Sequence, residues 1–449
     1  MTFAQSLSDR QRRQAARRTI YSALCGCIGE MAIDTSVIIV VYIEMLGGAD
    51  STRMFATGFT SVASVVCSLA FGSICDRFGL RRAMSTACWG AFAAFVLMAA
   101  APLAGSWSLG VFLGACFLYC LTRPLYTACW YPILDNFLRP EDRNGFFSTM
   151  RFSYSTLNAC LIFGVGRLFA GMGGHPPLWL MQAILVGCAF ANLGRKHYAN
   201  SVPLAPEFAN PPLSVALHRH GQQYNLSEGL RISLRNAPLV GFCIYFCLFN
   251  VVASSYIPLT VVYMKSEAFG AAPSAIMTIT AVSLLGSMTG FLLSSRILRL
   301  IGTKAAILAC HLFCIALPLA LFLCAPDSPR RLAVVGAVQF LAAFAAAEAM
   351  VINSSESLAL ARPGNKTIAL ALCQVFCNIG TAVGRFGVSA LLAIGMLAPS
   401  WTLRGMTVTR FQSIFLVDAA IMAFSLVLLV LFPAFVPKHD DYYEPPARP

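Results

Sequence analysis
Apolar runs of about 20 residues or more recur along the whole chain, separated by short breaks rich in Gly, Pro or Arg. Runs of that length match the hydrocarbon core of a bilayer, where no water satisfies backbone N–H and C=O groups. Only helices and closed barrels survive there, and these runs are far too long for barrel strands. Composition agrees: 58% of residues are hydrophobic and 11% charged, against roughly 25% charged in soluble domains. The expected fold class is therefore an all-α membrane protein. Twelve spans are expected at about 19–46, 53–75, 83–102, 108–133, 146–170, 178–194, 237–263, 273–296, 304–325, 332–356, 367–397 and 410–433, by the 20-residue requirement. The first run is too long for a signal peptide, contains Glu30 and Asp34, and has no small-x-small cleavage site after it.

The net charge of +13 raises the question of nucleic-acid binding, but its placement excludes that class. Arg10, Arg12, Arg13, Arg17 and Arg18 precede the first span, and Arg77, Arg81 and Arg82 follow the second. Arg139 and Arg143 follow the fourth, and Arg195, Lys196, Arg219, Arg231 and Arg235 fall in the central loop. Under twelve spans, 22 of the 32 Lys and Arg lie on the side that holds both termini. Cytoplasmic loops carry this excess, so both termini are expected in the cytoplasm of a cytoplasmic or plasma membrane. The 17 cysteines sit almost entirely inside spans, several at i,i+4 such as Cys243/Cys247 and Cys373/Cys377. They read as small apolar packing residues. Cys310, His311 and Cys314 lack a further ligand, so no metal and no cofactor is expected.

The sequence repeats itself. An offset of 223 residues places Gly79 on Gly302, Arg81 on Lys304, Pro140 on Pro363 and Arg143 on Lys366. The polar stripe Thr57, Thr60, Ser64 falls on Thr280, Ser283, Ser287, and an offset of 221 aligns Val40–Tyr42 with Val261–Tyr263. Agreement on one offset across several spans indicates duplication. The expected organisation is a basic tail over about 1–18, a six-helix bundle over 19–194, a cytoplasmic loop over 195–235, a second bundle over 236–433 and a C-terminal tail over 434–449, a loop this long marking a linker.

Between the second and third spans stands Gly72-Ser-Ile-Cys-Asp76-Arg77-Phe-Gly79-Leu-Arg81-Arg82. With the twelve spans, the two halves and the long central loop, this resembles the G-x-x-x-D-R-x-G-R-[RK] signature of the major facilitator superfamily. The resemblance covers nearly the whole chain, with Leu80 departing from the pattern and the second copy degraded to Gly302 and Lys304. It implies two pseudo-symmetric six-helix bundles and a cytoplasmic latch built from Gly72, Asp76, Arg77, Gly79, Arg81 and Arg82. Arg143, in the charged turn after the fourth span, is assigned to the same latch.

An ionisable side chain at mid-bilayer costs at least about 2.5 kcal/mol, so each one is a functional candidate. Glu30 and Asp34 lie four residues apart on one face of the first span, and Arg123 reaches a similar depth in the fourth. The resemblance places spans one, four, seven and ten around a central cavity, and so predicts that Glu30, Asp34 and Arg123 meet and form an ion-coupling site. Tyr119, Tyr126 and Trp130 share the helical face of Arg123 and suit a polar organic solute. Glu348, near the repeat counterpart of Arg123, and Asn250, Ser254 and Asn378 complete the expected solute site. Arg385 and Asp418 are candidates for a structural pair, and Glu44 is expected to be solvated at a span end.

A nucleotide-binding loop of the form Gly-x4-Gly-Lys-[Ser/Thr] is absent, and no nucleophile with a matched base stands at the span ends. The expectation is a monomeric secondary transporter, not an enzyme. Its partners would be a small polar organic solute, a coupling ion (a proton above all) and the lipid bilayer. Proton-coupled multidrug efflux is the alternative, though the Gly-Pro-Gly-Gly of such antiporters is missing from the fifth span. A sensor or lipid-handling protein on the same scaffold is a further alternative. The acidic pair and the intact latch both belong to the first half, so that half is expected to handle the coupling ion.

Overall fold
The computed structural model describes the backbone of residues 6–34, 37–138, 143–173, 176–204, 226–326, 328–360, 366–403 and 406–431. In order, the helices are α1 (Asp9–Asp34), α2 (Val37–Met45), α3 (Asp50–Thr57), α4 (Phe59–Phe78), α5 (Leu80–Ala100), α6 (Ser108–Asp135), α7 (Arg143–Gly171) and α8 (Leu178–Asn200). They continue with α9 (Leu226–Leu234), α10 (Ala237–Ala253), α11 (Tyr256–Lys265), α12 (Pro273–Leu323), α13 (Arg331–Leu360), α14 (Lys366–Ile394) and α15 (Arg410–Leu431). Helix stands at each of the twelve expected places. By length and hydropathy alone, eight stretches of the described residues qualify as membrane spans, or nine if α1 and α2, bent by 53°, count as one broken span. One of the eight, Leu80–Trp130, runs across the 3-10 turn Ala101–Trp107 that separates α5 from α6. The chain is an integral membrane protein.

The first helix starts earlier than the hydropathy suggests. Ser8 and Gln11 form a capping box, Ser8 N donating to Gln11 Oε1 at 2.9 Å and Gln11 N to Ser8 Oγ at 3.3 Å, which satisfies amides that a helix start leaves open. The basic stretch expected as a tail is thus mostly helix, with Arg18 donating to the Ser201 carbonyl at 2.6 Å. Thr409 and Gln412 repeat the device at the start of α15. Before them comes a feature with no counterpart in the expectations, an antiparallel hairpin of β1 (Ser400–Leu403) and β2 (Met406–Thr409), with Trp401 opposite Val408.

The chain divides into two compact units, Met1–Arg219 with Met264–Ala281, and His220–Tyr263 with Val282–Pro449. In the first, α5 packs on α6 and α8, and α1 packs on α8 and α7. Small residues permit the close approach: a Cβ at Gly194 would lie 3.1 Å from Cys25 Sγ, and one at Gly29 would lie 2.9 Å from Asn192 Nδ2. The stretch 264–281 joins this unit rather than the one its place in sequence suggests. Glu44, expected to be solvated, pairs there with Lys265 at 2.9 Å. In the second unit, α10 packs on α14, and Gly380 and Gly384 lie directly against the backbone carbonyls of Cys247 and Val251. Every described cysteine is a free thiol. Cys373 and Cys377 serve packing and local bonding, with Ser357 donating to Cys373 Sγ at 3.0 Å and Asn353 to Cys377 Sγ at 3.5 Å.

The duplication is visible in the backbone. Gly79 has φ 86° and ψ 143°, and Gly302, its partner at the 223-residue offset, has φ 77° and ψ 163°. That region of backbone space is open essentially to glycine alone. Gly79→Ala is expected to destabilise the protein by about 1–3 kcal/mol. Its melting temperature in detergent should fall, whereas Gly187→Ala, where a methyl meets nothing within 4 Å, should not lower it.

Candidate functional site
Four intramembrane charges of the first unit form two neighbouring ion pairs, with Glu30 and Arg123 also acting on one another. Glu30 is buried on α1 and held from two sides: Arg195 Nη1 lies 2.9 Å from Oε1, and the Tyr154 hydroxyl of α7 donates to Oε2 at 2.7 Å. Arg195 is fixed in turn. Its guanidinium lies over the Tyr126 ring, 3.2 Å from the centroid, a favourable cation–π arrangement. It crosses α1 at Gly26, where a Cβ would overlap the guanidinium carbon. The Ser22 hydroxyl donates to the Arg195 carbonyl at 3.0 Å.

One turn further along α1, Asp34 Oδ1 meets Arg123 Nη1 of α6 at 2.5 Å. The two pairs differ in access. The side chains of Arg123 and Asp34 are 28% and 35% exposed, those of Arg195 and Glu30 only 9% and 11%. Burying a lone charge is costly, and a well-bonded partner offsets that cost. The inner pair is buried and held from several sides, whereas the outer pair is part-exposed and joined by a single bond.

Arg195 is the residue that sequence reading missed. Hydropathy closes span six at its first charge and leaves Arg195 in the central loop, but α8 continues through Asn200. A signal was present: the buried residues Met181, Leu185, Cys188, Asn192, Arg195 and Ala199 keep one helical stripe across that boundary. The structure brings Asp34 and Arg123 into direct contact, whereas Glu30 bonds directly to Arg195 and acts on Arg123 from further away.

The aromatic residues need correction. Tyr119 is 2% exposed with its ring 4.7 Å from that of Phe95. Tyr126 is buried beneath Arg195, and Trp130 packs on Tyr126 at 5.5 Å. They share the face of Arg123 as expected, but Tyr119 and Tyr126 are covered there by α5 and α8, whereas Trp130 is half-buried. In the second unit, Asn250 donates to the Phe246 carbonyl at 2.8 Å and Ser254 to the Asn250 carbonyl at 2.5 Å, each within its own helix. Glu348 is 3% exposed beside the Ser294 hydroxyl, with neither carboxyl oxygen in a hydrogen bond of normal geometry among the described residues, and Glu356 is equally buried rather than solvated. Asn378 is half-buried on α14. Arg385 donates from Nε to the Ser254 carbonyl at 3.2 Å, and Asp418 is buried with Oδ2 unbonded, in place of the expected pair.

Of the expected latch, Gly79 makes the turn, Arg81 donates to the Val202 carbonyl at 3.4 Å and Arg82 is exposed. The side chains of Asp76, Arg77 and Arg143, with the surroundings of Gly72, lie outside the described residues.

The fold has solved relatives. The nucleoside transporter NupG superposes with a TM-score of 0.67 at 14% identity, covering 95% of this chain and 100% of that one. A D-xylose-proton symporter gives 0.67 at 16% identity, covering 96% and 99%. A bacterial homolog of the human lysosomal transporter Spinster, in an inward-facing and unoccupied conformation, gives 0.66 at 15%, covering 98% and 100%. These relatives are transporters rather than enzymes. No curated protein sequence matches the chain. The sequence profile of the Major Facilitator Superfamily matches residues 21–385. This span takes in the first repeat, most of the second and every residue of the two ion pairs, and the chain belongs to the Major Facilitator Superfamily.

Proposed function
We propose that this protein is a secondary active transporter that moves a small polar organic solute by alternating access and couples the movement to protons. In this reading both termini are cytoplasmic, the protein works as a monomer in the bilayer, and the latch at Gly72–Arg82 governs its cytoplasmic side. The observation that carries the reading is the part-exposed Asp34–Arg123 pair inside the membrane-spanning bundle. A charge pair at that depth is expensive, and a carboxylate that water can reach can also exchange a proton. Solved structures of the same fold include a proton symporter, which fits this assignment. The buried Glu30–Arg195 pair supplies the rigid base against which the outer pair can open.

Multidrug efflux is less well supported. A cationic drug needs a carboxylate free to receive it, and Glu30 and Asp34 are each bound to an arginine.

Proteoliposomes enclosing a pH indicator test the reading, with sugars, nucleosides, carboxylates and organic cations as probes. At least one probe should move protons with it in the wild type. Asp34→Asn should lose that proton movement, and Glu30→Gln should reduce it. Gradient-driven accumulation at the wild-type level in both variants would remove the coupling assignment.

A further inference from the structure
We infer that the solute is an organic anion bearing a carboxylate, which binds Arg123 in place of Asp34 when Asp34 takes up a proton. The inference deepens the transport reading above and rests on it. It follows from charge balance and from the unused donors of one arginine.

The acids of the two pairs, Glu30 and Asp34, are matched one for one by Arg123 and Arg195. Adding or removing a net charge at this depth carries the membrane penalty again. The groups that act electrostatically on Asp34 or on the residues beside it come from four helices. They are Cys27 and Glu30 of α1, Tyr119, Cys120 and Arg123 of α6, Tyr154 of α7 and, through Glu30, Arg195 of α8. Tyr154 already donates to Glu30, and Arg195 is held by Glu30 and Tyr126. Among the described residues Arg123 is thus the only direct counter-charge to Asp34.

Arg123 meets Asp34 through one nitrogen. Its guanidinium presents a planar fork of five N–H donors, which suits a bidentate carboxylate. At 28% exposure the side chain is not sealed into the core, and among the described residues Asp34 is the one acceptor bonded to its guanidinium, leaving further N–H donors for a ligand. A solute carboxylate arriving alone would bring a third negative charge. Arriving with a proton on Asp34, it leaves the balance intact: the Asp34–Arg123 bond breaks, the proton stays on the Asp34 carboxyl, and the ligand takes over the fork. A cation would have to strip Asp34 from Arg123 and strand a guanidinium that cannot lose its proton. The expected stoichiometry is one proton per carboxylate.

The test uses the full-length protein purified in detergent, where binding is read without any flux. Thermal stability is followed with monocarboxylates, hydroxy acids, amino acids and dicarboxylates, with xylose and uridine as neutral probes and tetraphenylphosphonium as the cation. At least one carboxylate should stabilise the protein, and its affinity should weaken as pH rises because a proton binds with it. In weakly buffered solution the wild type should take up a proton as that carboxylate binds, which requires no variant. Asp34→Asn mimics the protonated acid and should bind the same carboxylate with little pH dependence. Arg123→Gln should lose binding, and Arg123→Lys, which keeps the charge without the fork, should recover only part of it.

Stabilisation by neutral or cationic probes alone, or by no carboxylate at all, would overturn the anion assignment, as would undiminished pH dependence in Asp34→Asn. Failure of the transport reading looks different: a carboxylate would bind with its proton, yet proteoliposomes would show no exchange of it across the membrane.

Discussion

Arg195→Met is expected to cost about 3–5 kcal/mol of stability, because it leaves the Glu30 carboxylate buried with its charge uncompensated. The Tyr154 hydroxyl and the more distant Arg123 would remain against it. The loss should appear as a lower midpoint in detergent melting or denaturant titration. Combining Arg195→Met with Glu30→Gln should recover most of it, since the pair contributes little net stability once both charges are gone. Single and double variants of equal stability would mean that the bond at 2.9 Å does not hold α1 to α8. The Asp34–Arg123 pair provides the contrast. Both partners are less deeply buried than the inner pair, so losing one costs less, and Asp34→Asn should change function far more than stability.

The second large effect lies in the other unit. Gly384→Leu is expected to destabilise the protein by about 3 kcal/mol or more, at or beyond the upper end of ordinary overpacking. Even a methyl at Gly384 would run into the Val251 carbonyl, and one at Gly380 into that of Cys247. Backbone cannot swing aside as a side chain can, so α10 and α14 would have to separate. Gly387 on the same helix has nothing within 4 Å. Gly387→Ala should therefore be neutral, or should stabilise by up to about 1 kcal/mol through helix propensity. Melting curves of the two variants side by side test the contact itself rather than the removal of a glycine.

These contrasts also mark how far the residues alone could be read. Apolar period and length give the helices, because lipid leaves the backbone no alternative. The 223-residue repeat aligns Gly79 with Gly302, and the structure gives both a backbone state that essentially only glycine tolerates. The pairing of Asp34 with Arg123 was legible from depth along the spans together with the family resemblance. Arg195 was not, because hydropathy closes a span at its first charge even where the buried stripe continues. Tyr119 and Tyr126 show a different limit. One helix face can point at a cavity or at a neighbouring helix, and the sequence of that helix does not distinguish them. Asn250 and Ser254 turn back on their own helix carbonyls, as short polar side chains commonly do. The hairpin at Ser400–Thr409 was hidden because its few β-prone residues sit in what reads as a short connector.

The central claim is that Asp34, released and rebound by Arg123, carries the coupling proton. Proteoliposomes loaded with the identified solute separate coupling from passage. Counterflow measures exchange of solute alone, and a pH gradient measures accumulation driven by protons. Asp34→Asn is expected to keep counterflow near the wild-type rate while pH-driven accumulation falls to that of empty liposomes. Accumulation by Asp34→Asn to the wild-type level, against the solute gradient, would contradict the claim.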